Sequence, residues 1–411
     1  MYNFSTSVVI VVIVIVIVVV LVSTMSDKYK VNTGEKKTNN DALMAEINQQ
    51  VYLHIPKGLA PAKIKSYVFE HTLKGHKKAV YCCAFEPTIG FLIATCSHDM
   101  TCVIWDIRNG SRVRTLKEHA GWIMHLAWTP DGNFLLTASA DKTIKMWTVH
   151  KTFVWGDFEC VHTFLGHTDI IMGLSITPDS SQLISCSKDK TLRVWDLKDA
   201  VKTMLRKETD RAQLYCIKGN PEYYDGHSLS IMKVCVNPNG TDFMSVSEDM
   251  TVKRWMLSTG ELLLTYTGHT EPILGLDFRY DGVFLATASH DKTVKLWDVE
   301  NGRCALTLRG HKDAVYDVKF TSPSNKGRFL ISCGHDSRII VWDSKKNFDL
   351  LHIVKSHLGW VLCLSISPDG YRFASAGGDH KCNLYIGRNR SCNECCGECC
   401  FDCRQCCSIC C

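Results

Sequence analysis

Histidine, aspartate and a hydroxyl at fixed spacing are the ingredients of a nucleophilic triad, and this chain of 411 residues repeats them in register. His76, His119, His167, His227, His269, His311 and His357 are followed by Asp99, Asp141, Asp189, Asp249, Asp291, Asp336 and Asp379. The interval is 23 residues in the first case, 25 in the sixth and 22 in the other five. Six residues after each Asp stands an aromatic: Trp105, Trp147, Trp195, Trp255, Trp297, Trp342 and Tyr385. A catalytic triad is needed once, so seven copies at constant spacing describe a structural unit. The chain carries no phosphate-binding glycine loop, no His-Glu-x-x-His and no paired-carboxylate signature, and the expectation is a protein without catalytic activity.

A second chemistry sits at the C-terminus. Cys392, Cys395, Cys396, Cys399, Cys400, Cys403, Cys406, Cys407, Cys410 and Cys411 follow a Cys-x-x-Cys rhythm, which lets two thiolates reach one soft ion such as Zn²⁺ or Cu(I). Glu394, Glu398 and Asp402 with few apolar residues fit a metallothionein-like cluster. S-acylation of a cysteine string and a low-complexity end without a selected role are the alternatives. The remaining twelve cysteines are scattered, and Cys82, Cys83, Cys186 and Cys363 fall in predicted strands. They read as small buried apolar residues in a reducing compartment, which points to the cytoplasm.

The segments between the His, Asp and aromatic positions alternate as strands do. Ile123 to Trp128 alternates, Pro130-Asp131-Gly132 turns, Phe134 to Ser139 follows, Asp141-Lys142 turns, and Thr143 to Trp147 alternates again. Short strands separated by turn residues read as all-β, and four strands per unit of roughly 42 residues make a propeller blade. Composition agrees with a globular chain: 45% hydrophobic and 22% charged residues. A net charge of +5 over this length is too weak to argue for nucleic acid.

Gly75-His76, Ser97-x-Asp99 and the Trp-Asp pairs at 105–106, 195–196, 297–298 and 342–343 resemble the repeats of the WD-repeat family across residues 66–387. The resemblance implies a seven-bladed β-propeller, closed when the strand from Tyr67 to Leu73 joins the last three strands. It also implies one hydrogen-bonded network per blade, made of the His, the Asp, the Trp and a hydroxyl two residues before the Asp. Ser97, Ser139, Ser187, Ser247 and Ser289 fill that position. Gly334 and Gly377 replace it in the last two blades and Tyr385 replaces the last Trp, so the network is expected to be complete in the first five blades only and the last two to be less rigid.

By the same resemblance, binding falls on the rim formed by the loops that carry the His and the Asp. Five residues after the His stand Tyr81, Met124, Met172, Met232, Leu274, Tyr316 and Leu362. Three residues after it stand, among others, Trp122, Ile170 and Trp360, and just before the Asp stand His98, Lys188, Glu248, His290 and His335. A ring rich in aromatic residues and methionine suits a protein or peptide ligand in a multiprotein complex. Trp105-Asp106-Ile107-Arg108 is similar to the Trp-Asp-x-Arg motif of substrate receptors of cullin–RING ubiquitin ligases, with Arg108 as the adaptor contact.

The flanks are biased. Residues 1–25 hold an unbroken Val/Ile/Leu run from Val8 to Val22, read as a membrane anchor that leaves the propeller in the cytosol, a secretory signal, or an extension upstream of a start at Met25. Residues 26–65 form a polar arm, and 388–411 the cysteine tail. An insertion from Lys198 to Arg211 is expected to hold a short amphipathic helix, followed by a loop with Tyr223 and Tyr224.

Overall fold

The structure is a computed structural model that describes residues 64, 66–149, 158–198, 200–201, 226–322 and 327–388. The alternating runs fold as strands, mostly of five or six residues, grouped into seven antiparallel sheets. In blade 1, Val80–Phe85, Leu92–Ser97, Cys102–Asp106 and Ser111–Leu116 pair in chain order from the innermost strand outward. Blades 2 and 4 to 6 repeat this order. Among the described residues blade 3 has three strands, Ile171–Ile176, Gln182–Ser187 and Leu192–Asp196. A helical turn begins at Leu197, and Leu197 and Ala200 are buried beside Trp195. Most of the expected amphipathic helix, together with Tyr223 and Tyr224, lies outside the described residues.

The ring closes as the sequence leads one to expect. Ser66–Lys74 pairs with Lys381–Arg388, placing Tyr67 opposite Gly387 and Leu73 opposite Cys382. Chain start and chain end thereby share blade 7, which gives the edge of its last C-terminal strand a partner. Tyr67 locks the seam: its ring meets Phe373 at 5.1 Å and Phe329 at 5.9 Å, both edge-on.

The core lies between blades. Met244 and Val246 of blade 4 pack with Ile273, Leu276 and Trp297 of blade 5, and the same sharing recurs around the ring. The inner strands also carry charge. Asp317 of blade 6 accepts from Lys233 of blade 4, and Lys319 reaches Asp277 at 2.6 Å. The Lys233–Asp317 pair passes Gly275 of blade 5, where a Cβ would stand 2.9 Å from the Asp317 Cα and 2.8 Å from the Tyr316 carbonyl oxygen. Only glycine fits there.

The eleven described cysteines are free. Cys82 of blade 1 and Cys363 of blade 7 stand 3.5 Å apart, both buried. No helix among the described residues is long and apolar enough to cross a membrane. The apolar segment 1–25, the arm apart from Ile64, and the ten tail cysteines lie outside the described residues.

Candidate functional site

One polar chain runs through each blade from its third strand to the loop before its first. In blade 1 the Trp105 indole donates to Thr95 Oγ1 at 2.8 Å, the Thr95 hydroxyl meets His76 Nε2 at 2.8 Å, and His76 Nδ1 meets Asp99 at 2.9 Å. The indole can only donate, so the Thr95 hydroxyl accepts from it, and the carboxylate can only accept, so Nδ1–H donates to Asp99. Blades 2 to 6 repeat it through Thr137, Ser185, Ser245, Thr287 and Ser332. In blade 7 the Tyr385 hydroxyl replaces the indole, 3.2 Å from Ser375, which bonds His357.

The bridging hydroxyl therefore stands four residues before the Asp, and the assignment to Ser97, Ser139, Ser187, Ser247 and Ser289 is corrected. The reason is strand geometry. Trp105 pairs with Ile93, so its indole reaches Thr95 on the diagonal, and Ser97 lies two residues, about 6.6 Å, further along. The serines instead shape the turn: each accepts from the backbone N–H of its Asp at 3.1 Å. Ser97, Ser187, Ser247 and Ser289 also donate to carbonyls of the loop after the His. Because Ser332 and Ser375 are present, the network is not broken in the last two blades.

Gly334 and Gly377 have a different cause. A Cβ at 334 would stand 2.4 Å from the Ala314 carbonyl, and one at 377 would stand 2.5 Å from His357 Nδ1. The His-bearing loop comes too close for any side chain. Gly377→Ser, which restores the residue of the first five blades, is therefore expected to destabilise by about 1–3 kcal/mol through overpacking. A urea titration showing equal or greater stability would refute that account.

The Asp is the clamp that positions the rim. Asp99 accepts from His76 and from the Lys77 backbone N–H at 2.9 Å on one loop, and from Thr101 Oγ1 at 2.6 Å on the other. Burial pushes the carboxyls of Asp99, Asp141, Asp189, Asp249 and Asp291 up, but the bonds from His and Thr outweigh it and hold them far below the usual range. Burial lowers His167 and His269 below the usual imidazole range.

The clamped loops bring rim residues together. His98 is sandwiched between Tyr81 and Trp122, with ring centroids 4.2 Å away on each side. Across blade 7, His335 lies against Trp360 at 4.4 Å and Tyr316 at 6.1 Å, and Tyr316 meets His290 at 6.1 Å. Asp313 bonds His335 Nδ1 at 2.7 Å. Trp122 and Trp360 are 42% and 51% exposed. His290 is exposed, and Ile170, Met172, Lys188, Met232, Glu248, Leu274 and Leu362 are half-buried. Met124 is corrected: at 9% exposure its side chain belongs to the strand packing.

Sequence reasoning missed Leu358, 88% exposed, and the exposed Met100, Leu229 and Met250. Met100 and Met250 occupy left-handed turn tips, with φ of 65° and 67°, where blades 2, 3 and 5 place Lys142, Lys190 and Lys292. An apolar residue in a turn position filled elsewhere by lysine was the available signal. Arg108 lies apart from the rim, after the third strand of blade 1. Its Nη2 bonds Asp106 at 2.6 Å, and its guanidinium lies 5.0 Å from the centre of the Phe91 ring.

The repeated polar chain and the closed ring of seven sheets define a WD-repeat propeller. The chain matches the family described as "WD40: WD domain, G-beta repeat" at residues 67–106, 110–148, 158–196, 220–255, 260–298, 302–343 and 348–385, and it belongs to that family. It is 27% identical over 196 residues to nuclear distribution protein PAC1 of Arthroderma otae, covering 46% of this chain and 42% of that protein. It is 41% identical over 86 residues to WD repeat-containing protein 1 of Gallus gallus, covering 20% and 14%. It is 40% identical over 65 residues to ribosome assembly protein 4 of Chaetomium thermophilum, covering 16% and 13%. The chain spans less than half the length of these relatives.

Proposed function

We propose that this propeller is a non-catalytic scaffold that binds another polypeptide on the face carrying the His- and Asp-bearing loops. The observation that carries the reading is the aromatic crescent, in which two well-exposed indoles are held rigid by stacking on His98 and His335. Rigid aromatic side chains bind with little loss of conformational freedom and dominate interface energetics. The polar chains below them account for the His, Asp and hydroxyl recurrences as structure. The test is affinity purification with the full chain and with a Trp122→Ala/Trp360→Ala variant. Partners captured by the parent chain should be lost from the variant; an unchanged set of captured proteins would sink the reading.

A second reading takes the chain as a substrate receptor for a cullin–RING ligase through Arg108. One observation favours it: the Arg108 side chain is 52% exposed while Asp106 holds its orientation. The cullin adaptor should then co-purify with the parent chain and be lost with Arg108→Ala; its absence from the parent purification rejects this reading. Zn²⁺ or Cu(I) on the cysteine tail is an accessory proposal, checked by metal quantification of the purified full chain.

A further inference from the structure

The residue six after each His stands on the innermost strand of its blade. In blades 4 and 6 it is Lys233 and Asp317, which bond each other past blade 5. In blades 1 and 7 it is Cys82 and Cys363, which meet thiol to thiol at 3.5 Å. The two strands that carry them, Val80–Phe85 and Val361–Ile366, belong to different sheets and share no backbone ladder. They are joined through side chains, and the Phe85 N–H donates to Ser365 Oγ at 3.1 Å. Bringing the two sulfurs to the ~2.05 Å of a covalent bond takes about 1.5 Å of movement shared between two side chains.

The place of the pair in the ring gives such a bond a consequence. Blade 7 draws its strands from both ends of the chain, and Ser66–Lys74 holds Lys381–Arg388 by hydrogen bonds and packing. If that outer strand peeled away, the three C-terminal strands would face blade 1 with no covalent tie to it. A bond between Cys82 and Cys363 would supply the tie, joining residues 281 apart in sequence. Access favours the same two thiols. They keep slight exposure, 3% and 5%, whereas Cys96, Cys102 and Cys333 have none. The hydrogen bond with Cys82 and burial push the Cys363 thiol up to about 11. Its thiolate is scarce at neutral pH, so the first oxidation is slow, and a second thiol already in place makes the next step fast.

We infer that Cys82 and Cys363 form a reversible disulfide with a peroxide as the oxidant, and that this bond locks the ring where blade 7 meets blade 1. One thiolate attacks the peroxide: an S–O bond forms, the O–O bond breaks, and the departing hydroxide takes a proton to become water. The second thiol loses its proton and attacks the sulfenic sulfur: the S–S bond forms, the S–O bond breaks, and a second water leaves. The two thiols give up two electrons and the peroxide gains them. Exchange with a small thiol restores the reduced pair. The lock goes beyond the scaffold reading and does not depend on what the rim binds.

The test takes the reduced full chain, exposes it to hydrogen peroxide, blocks the remaining thiols and digests it with trypsin without reduction. Cys363 is alone in fragment 356–372, and Cys82 lies in fragment 79–108 with Cys83, Cys96 and Cys102. Mass spectrometry should find these two fragments cross-linked. Cys82→Ala should abolish the cross-link and Cys83→Ala should leave it. The oxidised parent should unfold about 4–8 °C above the reduced parent, and dithiothreitol should erase the difference. Failure to find the cross-link in the oxidised parent, or its persistence in Cys82→Ala, overturns the pairing. A cross-link without a rise in unfolding temperature overturns the lock. Both parent measurements stand even if an alanine variant fails to fold.

Discussion

Asp317→Asn should cost this protein about 3–5 kcal/mol, the loss expected when one partner of a buried ion pair is removed. Asp317 is fully buried and serves three donors: the Lys233 ammonium, the Val318 N–H at 2.9 Å and the Leu364 N–H at 2.9 Å. It thus ties blades 4, 6 and 7 together at the inner strands. An asparagine amide can replace one acceptor oxygen, but its NH₂ would face a donor that needs an acceptor. Lys233 would stay buried without its counter-charge. The midpoint of thermal unfolding should fall by roughly 10 °C, given the few degrees per kcal/mol typical of domains of this size. The double variant Lys233→Met/Asp317→Leu, which removes both charges, should recover most of the loss. A single variant within about 0.5 kcal/mol of the parent, the scatter of ordinary surface substitutions, would refute the account.

The second large effect is acid lability. Seven carboxylates, Asp99, Asp141, Asp189, Asp249, Asp291, Asp336 and Asp379, sit below their usual range in the folded protein. A depressed folded pKa gives stability that is present above the unfolded value of about 3.9 and is lost as pH falls toward the folded value. His167 and His269, lowered by burial, add a gentler slope of the same sign, starting near their unfolded value of about 6.5. Asp277 and Asp317, pushed up by burial, titrate in the opposite sense, two groups against nine. The unfolding temperature should therefore decline modestly from pH ~7 to ~4.5 and steeply below ~4. Asp291→Asn should flatten the steep limb. A profile level down to pH ~3 would contradict the role given to these carboxylates.

The residues show why part of this was legible beforehand. The His, Asp and Trp spacing recurs because each blade solves the same local problem, tying two loops to one sheet with its own polar chain. A local problem solved seven times leaves a periodic trace, and so the strands and the number of units could be read, while closure by Tyr67 to Leu73 came from the resemblance to the WD-repeat family. The hydroxyl could not be placed, because Thr95 and Ser97 share one face of one strand. Only the pairing of Trp105 with Ile93 selects between them. The same limit hid the crowding at Gly334 and Gly377, which depends on how close a loop distant in sequence approaches.

The sequence by itself determined the periodic part of this protein: seven units of alternating strands, each with a His, an Asp and an aromatic in phase, because these are short-range demands of turns, pleats and hydrogen bonds. Tertiary structure alone decided what is not periodic. Ring closure sets blade 7 beside blade 1 and so brings Cys363 to 3.5 Å from Cys82. Convergence of the inner strands carries Lys233 past Gly275 to Asp317. Both juxtapositions join residues that stand six after the His of their own blades; the position is periodic, but the side chains that fill it are not, and which of them meet is decided only when the circle closes.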